Sequence, residues 1–227
     1  MPNVTIAELY RTIRDQMLGL SANLSPDQSE QPVPALPGWS VKDAYAHLTG
    51  LCGDILDGRM EGAGSPDWTA KQVAERSHDD LPGVCAEWAE RGPALDEWLE
   101  AQGDEGTVFV GFDVWNHHQD VRSALALNGE RGAKQVDYLL ARALSAFHDR
   151  FRDAGAPALR VITDRVDRNL GLGPPDATLR TTDYELLRTL FGRRSLAQMA
   201  GGRWEGDPTP YLDHLHLFEP PVTDLVD

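Results

Sequence analysis

The sequence predicts a mostly α-helical protein, in which a helical bundle at residues 1–156 is followed by a small α+β module at residues 157–227. Three observations predict this fold class. Apolar residues recur at helical spacing through the first two thirds of the chain. Serine and threonine caps precede several of these segments. After Pro157 the spacing changes to the alternation that is typical of β-strands.

The helices of the predicted bundle follow one another with clear boundaries. The capping box Thr5–Glu8 opens a first helix that runs to about Leu20. A proline-rich loop then leads to a second helix, which Ser40 caps and a glycine-rich break at residues 58–67 ends. Further helical segments are predicted at residues 69–78, 81–102, 108–127 and 134–152. We expect Gly92-Pro93 to kink or split the segment at residues 81–102, because proline removes one backbone donor.

The C-terminal module has the pattern of a small sheet with helices. Residues 159–163 and 177–181 alternate like strands, and Gly171–Pro175 reads as a turn between them. A second capping box, Thr182–Glu185, opens a helix that stops at Gly192. A short helix at residues 195–200 and a proline-rich tail complete the predicted module.

The charge of the chain excludes several classes of partner. It has 36 acidic and 21 basic residues, for a formal net charge of -15. Nucleic acids and anionic membranes require a basic face, so we expect neither as a partner. No apolar run reaches the roughly 20 residues of a membrane-spanning helix, and the start of the chain lacks a signal-peptide pattern. We therefore expect a soluble cytoplasmic protein.

The two cysteines, Cys52 and Cys85, are too few and too far apart for a disulfide scaffold or a CxxC zinc site. Both lie in helical patterns, where cysteine usually acts as a small buried apolar residue. Any thiol chemistry is therefore expected to use a thiol from outside the chain.

The segment of residues 108–127 carries the residues of greatest chemical interest. Asp113, His117 and Asp120 interrupt its apolar, core-facing stripe, an arc of roughly 140° at about 100° per residue. A buried carboxylate and imidazole need compensating partners. Asp113 and His117 are four residues apart, the spacing at which neighbouring helical side chains can share one metal ion. The alternative is a buried Asp–His hydrogen bond that only organises the bundle.

His47 is the third candidate ligand. It lies beside the apolar face of the second helix, where it is either a structural histidine or the completing member of a set of one carboxylate and two imidazoles. Three protein ligands leave a coordination position open, as in catalytic metal sites. His118 points away from His117, to the surface or to a position that supports the ligands. Arg193 and Arg194 follow Gly192 and either hold a carboxylate by bidentate contacts or form a solvated helix end.

Several segments, in order along the chain, resemble signatures of the mycothiol-dependent maleylpyruvate isomerase family, whose members are DinB-like metal-binding bundles. Residues 37–48, PGWSVKDAYAHL, resemble its PGW-[ST]-V-x-D…HL signature. Residues 113–121, DVWNHHQDV, are similar to its E-V-W-x-H-x-x-D-L helix. Residues 183–195, DYELLRTLFGRRS, and residues 204–208, WEGDP, are similar to its C-terminal LLR…GRRS…W-x-GDP signature.

The resemblance implies a DinB-like four-helix bundle, a small C-terminal module and a divalent metal ion, with zinc preferred and nickel or another ion as the alternative. The ligands carried over by position are His47, Asp113 and His117. Asp120 and His118 would support these ligands. Asp113 departs from the family, which has glutamate there, so the helix must sit closer or a water must intervene. Arg193 and Arg194 in the GRRS segment are the candidates for binding substrate or thiol.

The expected function is that of a metal-dependent enzyme with mycothiol as cosubstrate. A low-molecular-weight thiol would be transferred to a small electrophile, or would catalyse its cis–trans isomerisation. Two alternatives stay open: a lyase or hydrolase that uses the metal without a thiol, and a non-enzymatic ligand-binding or stress-associated bundle. The sequence identifies no catalytic residue, and it is compatible with a monomer or a homodimer.

Overall fold

The computed structural model describes residues 4–127 and 133–226, and the chain divides into two compact units, Met1–Gly129 and Glu130–Val226. The sequence places the boundary near residue 156 instead. The difference is one helix, Ala133–Ala154, which packs against the strand Asp167–Leu170 and the helix Asp183–Leu190 of the second unit. Its apolar face therefore contributes to the C-terminal unit. The predicted fold class, a helical bundle followed by a small α+β module, is confirmed.

The N-terminal unit is a four-helix bundle with two shorter helices. Its described helices are α1 (Ile6–Ser21), α2 (Pro26–Ser29), α3 (Val41–Asp57), α4 (Pro66–Glu75), α5 (Leu81–Gln102) and α6 (Val108–Ala124). Helices α1 and α3 each contact both α5 and α6, so the four long helices close into a ring. Helix α4 packs on α3. The bundle thereby brings residues of α3 and α6 side by side.

Reciprocal caps fix where the bundle helices begin. At α3, Ser40 Oγ accepts from the backbone N–H of Asp43 at 3.2 Å, and Asp43 Oδ2 accepts from the backbone N–H of Ser40 at 2.8 Å. The same arrangement joins Thr5 and Glu8 at α1, as the sequence predicts. Because the cap sets the first turn of α3, it also sets the direction in which His47 points two turns later.

Three aromatic side chains fill the core between α1, α3 and α5. Trp88 Nε1 donates to the hydroxyl of Tyr10 at 2.7 Å, and the Tyr45 hydroxyl donates to the backbone carbonyl of Met17 at 2.8 Å. The ring of Trp88 meets both tyrosines edge-on, with centroid distances of 6.5 Å and 6.2 Å. All three side chains are buried, and the polar atom of each takes part in a hydrogen bond.

Two helix boundaries differ from the prediction. Helix α5 is not split at Gly92-Pro93 but runs through Pro93, because its buried apolar residues keep both halves packed. Helix α6 ends at Ala124 rather than Leu127, since Ala126 adopts a left-handed backbone with φ of 53°. Within the described ranges, no helix combines the length and the apolar character that crossing a membrane requires.

The C-terminal unit combines the long helix with a four-stranded sheet. Its described elements are α7 (Ala133–Ala154), β1 (Leu159–Ile162), β2 (Asp167–Leu170), β3 (Ala177–Arg180), α8 (Asp183–Leu190), α9 (Leu196–Ala200), β4 (Arg203–Glu205) and a 3₁₀ helix (Thr209–His214). The strand order is β2-β1-β3-β4, with β1 and β3 parallel and the two outer pairs antiparallel. The sequence missed both edge strands, β2 and β4. They are short and largely exposed, so they carry no apolar alternation.

Candidate metal centre

Three side chains from two helices of the bundle converge in one place. His47 of α3 and the pair Asp113 and His117 of α6 each offer a ligand atom, and these atoms lie within 4.8 Å of one another. His47 Nε2 is 3.0 Å from Asp113 Oδ2, and His117 Nε2 is 3.4 Å from Asp113 Oδ1. The two oxygens of one carboxylate therefore face one imidazole each, and the shorter aspartate reaches both rings.

The cluster is buried on the side of its imidazoles and accessible on the side of its carboxylate. His47 and His117 are 2% and 6% exposed, whereas the side chain of Asp113 is 32% exposed. A small molecule can therefore reach the cluster past Asp113. This is the arrangement expected of a site with a free coordination position.

The donor set fits a metal ion such as zinc. Zinc bonds to nitrogen and oxygen of about 2.0–2.1 Å place tetrahedral neighbours about 3.3 Å apart, close to the 3.0 Å and 3.4 Å observed. His47 Nδ1 lies 2.7 Å from the amide oxygen of Gln72, an acceptor, so Nδ1 carries the proton. The opposite nitrogen then faces a carboxylate oxygen, and two acceptors lie this close only with a cation between them. That cation is a proton or a metal ion.

Electrostatics favour the charged form of the carboxylate. Partial burial raises the pKa of Asp113, but the charges of His47 and His117 and their hydrogen bonds lower it further, so that the pKa lies well below its usual range. Burial lowers the pKa of His117, but the adjacent Asp113, and then Asp120, raise it above the ordinary histidine value. The cluster is therefore built around a fixed negative charge.

Asp120 and His118 are placed differently with respect to the cluster. Asp120 is completely buried, and its Oδ2 lies 3.4 Å from His117 Nδ1, the ring nitrogen that points away from Asp113. His118 is 2% exposed and lies outside the three-residue cluster. Burial, and then the charge of Arg122, lower the pKa of His118 to about 4. A surface position for His118 is therefore wrong, since α6 is buried on every side along this stretch.

Arg193 and Arg194 lie in the C-terminal unit and are both nearly buried. Arg194 makes a bidentate pair with Glu185, with distances of 2.7 Å and 2.9 Å, and Arg193 donates to the backbone carbonyl of Phe191 at 2.9 Å. A solvated helix end is therefore wrong for this segment. The carboxylate that Arg194 holds belongs to the chain itself, although Arg194 also lines a cavity of about 710 Å³. Binding of substrate or thiol by these arginines stays a prediction.

Three residues near the cluster have no role in the sequence-based interpretation. Trp39 lies against both imidazoles, with centroid distances of 5.2 Å to His47 and 6.0 Å to His117. Gln72 hydrogen-bonds His47, and Asp54 hydrogen-bonds Gln72. Asp54 is two helical turns after His47 and thus on the same face of α3, which is a sequence signal. Gln72 has no such signal, because its contact depends on how α4 packs.

The chain is similar to proteins of one known family. The family model "Mycothiol maleylpyruvate isomerase N-terminal domain" matches residues 10–125. No curated protein was found to match the chain significantly. A histidine-to-alanine variant of the mycothiol-dependent maleylpyruvate isomerase has a similar crystal structure, with a TM-score of 0.59 and 15% identity over 82% of this chain and 88% of that chain. A crystal structure of the mycothiol-dependent maleylpyruvate isomerase is also similar, with a TM-score of 0.54 and 15% identity over 83% of this chain and 88% of that chain. These likenesses confirm the DinB-like fold.

Proposed function

The chain belongs to the mycothiol maleylpyruvate isomerase N-terminal domain family, and from this membership we propose that it is a metal-dependent enzyme that uses a low-molecular-weight thiol. Mycothiol is the proposed cosubstrate, and a small electrophile is the substrate. The observation that carries the proposal is the convergence of His47, Asp113 and His117 beside a partly exposed carboxylate. A purely structural Asp–His pair would not need a third titratable side chain from another helix.

His47, Asp113 and His117 are the proposed ligands, with zinc preferred. A divalent ion in this site would hold a thiol as its nucleophilic thiolate and polarise a substrate carbonyl. Two neutral imidazoles and one carboxylate carry one negative charge, which leaves one positive charge with a divalent ion. Binding of one thiolate would therefore bring the net charge of the ion and its ligands to zero. Because the carboxylate edge is the exposed part of the cluster, thiol and electrophile would enter there.

The surrounding residues hold the ligands in place. Asp120 faces Nδ1 of His117 and would favour the tautomer that leaves Nε2 free for the ion. The indole of Trp39 packs against both imidazole rings. Cys52 and Cys85 are buried, so the nucleophilic sulfur comes from the cosubstrate rather than from the chain.

The proposed reaction on an unsaturated acid conserves the thiol. The thiolate sulfur adds to the double bond that is conjugated with the carbonyl, and the electron pair moves to the carbonyl oxygen. The former double bond can then rotate. Expulsion of the thiolate restores the double bond in the other configuration. With a substrate that carries a leaving group, that group departs with its bonding electron pair after the addition and the thiol stays attached. A substrate that retains the adduct instead takes up a proton at the carbon next to the carbonyl, and both outcomes are S-transfer.

Elemental analysis tests the metal site. We expect near-stoichiometric zinc, nickel or a similar ion in the wild-type protein and little in His117→Ala. The matched control is His78→Ala, which removes an exposed histidine of the same unit and leaves the metal content unchanged. A wild-type protein that stays metal-free after supplementation would rule out the proposed enzyme and favour a structural Asp–His pair.

Turnover with and without thiol tests the chemistry. We expect the metal-loaded protein to convert an electrophilic substrate such as maleylpyruvate only when mycothiol is present. Turnover that is independent of thiol would instead indicate a metal-dependent lyase or hydrolase. The His117→Ala protein with mycothiol measures the background reaction of the thiol itself.

A further inference from the structure

A chain of buried polar groups lies behind His47, on the side away from Asp113. His47 Nδ1 is 2.7 Å from Gln72 Oε1, and Gln72 Nε2 is 2.7 Å from Asp54 Oδ2. Asp54 Oδ1 in turn accepts from Arg59 Nε at 2.8 Å. Gln72 is 1% exposed and Asp54 is 5% exposed. Buried polar groups with every partner satisfied at these distances are held in one orientation.

The turn that ends α3 positions Arg59, the last group in this series of hydrogen bonds. Gly58 adopts a left-handed conformation with φ of 70°, and the backbone N–H of Arg59 returns to the carbonyl of Asp54 at 2.8 Å. The turn thus brings the Arg59 guanidinium back over the last turn of the helix to the carboxylate of Asp54. Asp54 forms an ion pair with this guanidinium, and the carboxylate of an ion pair only accepts hydrogen bonds.

The Asp54 carboxylate determines the donor-to-acceptor direction of every hydrogen bond between it and His47. Because Asp54 accepts, the amide nitrogen of Gln72 must face Asp54, and the amide oxygen of Gln72 must face His47. An oxygen at this position requires a proton on Nδ1 of His47. The nitrogen that faces Asp113 is then the only one available to a cation.

We infer that Asp54, acting through Gln72, selects Nε2 of His47 as the metal-binding nitrogen. Asp54 and Gln72 are positioning residues, since neither reaches the ligand cluster itself. The inference rests on the metal-binding role proposed above. Altering a residue that hydrogen-bonds a metal-bound histidine, as Gln72 would, typically changes metal affinity 10–100-fold. We expect Asp54 to act within this range because it acts by turning Gln72.

The substitution Asp54→Asn reverses the polarity with almost no change in shape. Arg59 still requires an acceptor, so the oxygen of the new amide stays with Arg59 and its nitrogen faces Gln72. Gln72 must then turn its oxygen towards position 54 and its nitrogen towards His47. Nδ1 becomes an acceptor, the proton moves to Nε2, and zinc affinity falls 10–100-fold.

The double substitution Asp54→Asn with Gln72→Glu exchanges amide and carboxylate and restores the original polarity. The amide at position 54 donates to the carboxylate at position 72, which accepts from Nδ1 of His47. We expect zinc affinity within a few-fold of the wild type. Asp57→Asn is the matched control, because Asp57 also pairs with Arg59 but makes no contact with Gln72. Gln72→Met, which deletes the amide at similar volume, should weaken zinc binding as Asp54→Asn does.

Two measurements test the inference separately from the proposed function. Competition with a chromophoric chelator gives the zinc affinity, and ring ¹⁵N signals of metal-free protein in alkaline buffer report whether Nδ1 of His47 carries a proton. We expect a protonated Nδ1 in the wild type and in the double variant, and an unprotonated one in Asp54→Asn. An unchanged Nδ1 signal in Asp54→Asn, or a double variant no better than the single one, overturns the inference. A wild type with the expected Nδ1 signal but no zinc binding would overturn the proposed function and leave only the selection of the His47 tautomer by Asp54 and Gln72 standing.

Discussion

Gly50 of α3 and Gln72 of α4 are packed so closely that a Cβ atom on Gly50 would lie 2.5 Å from the Cβ of Gln72 and 2.7 Å from its Cγ. No side chain larger than hydrogen fits at position 50 without moving Gln72. Because Gln72 hydrogen-bonds His47, we expect the size of residue 50 to affect the candidate metal site through Gln72.

We therefore predict that Gly50→Ala weakens zinc binding about 10-fold. This is within the range typical of changes to a residue that hydrogen-bonds a metal ligand. Overpacking costs about 1–3 kcal/mol and exceeds the gain of about 0.5–1 kcal/mol from replacing a helical glycine. The net effect on the free energy of unfolding is a loss of about 1 kcal/mol. Chelator competition and urea unfolding measure the two effects.

Gly19→Ala is the matched control for this substitution. Gly19 also lies in a helix, α1, but nothing lies within 4 Å of a Cβ atom there. We expect a slightly more stable protein with unchanged zinc affinity. Equal zinc affinity in Gly50→Ala and Gly19→Ala would show that the position of Gln72 does not matter to the site.

Asp113 should be the ligand that tolerates lengthening but not loss of charge. Its side chain is 32% exposed, so Asp113→Glu has room to extend and we expect it to retain metal. Asp113→Asn keeps the size but removes the charge between the imidazoles. We expect zinc affinity to fall about 100-fold or more, which exceeds the typical effect of changing a residue that only hydrogen-bonds a ligand. Isothermal titration with zinc measures both. Unchanged affinity in Asp113→Asn would remove Asp113 from the ligand set.

One part of the site is predictable from local sequence, since the spacing of Asp113 and His117 on one helix suffices to place them together. That His47 joins them depends on the packing of α3 against α6, which no local pattern shows. The orientation of His118 could not be read in this way. A single-helix pattern separates one apolar face from a polar one, whereas α6 is buried all round from Val114 to Val121.

The supporting contacts and the sheet edges depend on tertiary structure. Gln72 reaches His47 only because α4 packs on α3 at Gly50, and no periodicity within α4 signals that contact. The edge strands β2 and β4 are identified by hydrogen bonds to β1 and β3, not by alternation of their own side chains. Likewise, α7 has a helical pattern that defines its apolar face but not the unit against which that face packs.

The buried ion pair between α1 and α5 is predicted to support stability without affecting the metal site. Arg14 Nη1 lies 2.9 Å from Asp96 Oδ1, and both side chains are 7% exposed. Asp96→Ala leaves a buried guanidinium without this partner, which typically costs about 3–5 kcal/mol. Urea unfolding measures the loss, and zinc titration of the folded variant should match the wild type.

Lys71→Ala provides the comparison for an exposed pair. Lys71 lies 3.8 Å from Glu75 with both side chains largely in solvent, and such pairs contribute about 0.3–0.5 kcal/mol. A loss in Asp96→Ala no greater than in Lys71→Ala would contradict the role assigned to the buried pair.

The cysteines are predicted to be inert in the native protein. Burial raises the pKa of Cys52 to about 11, and burial likewise raises the pKa of Cys85. A raised pKa lowers the thiolate fraction, which for Cys52 at pH 8 is about 0.001 against roughly 0.2 for an ordinary thiol. We expect an aromatic disulfide reagent to modify native Cys52 at least 100-fold more slowly than in the urea-unfolded chain. In a Cys85→Ala protein, fast native labelling would show that Cys52 is accessible as thiolate.

Trp39 should report directly on the metal. Its ring centroid is 5.2 Å from that of His47 and 6.0 Å from that of His117, so an ion bound by these histidines lies within a few ångströms of the indole. Open-shell ions such as cobalt(II) or nickel(II) accept excitation energy over this distance, whereas closed-shell zinc does not. We predict that cobalt quenches part of the tryptophan fluorescence and that added zinc reverses the quenching in competition. Trp39→Phe should reduce the cobalt-dependent change more than Trp98→Phe on α5 does, while Trp115, two residues from His117 on α6, still contributes. An undiminished change in Trp39→Phe would place the ion elsewhere in the chain.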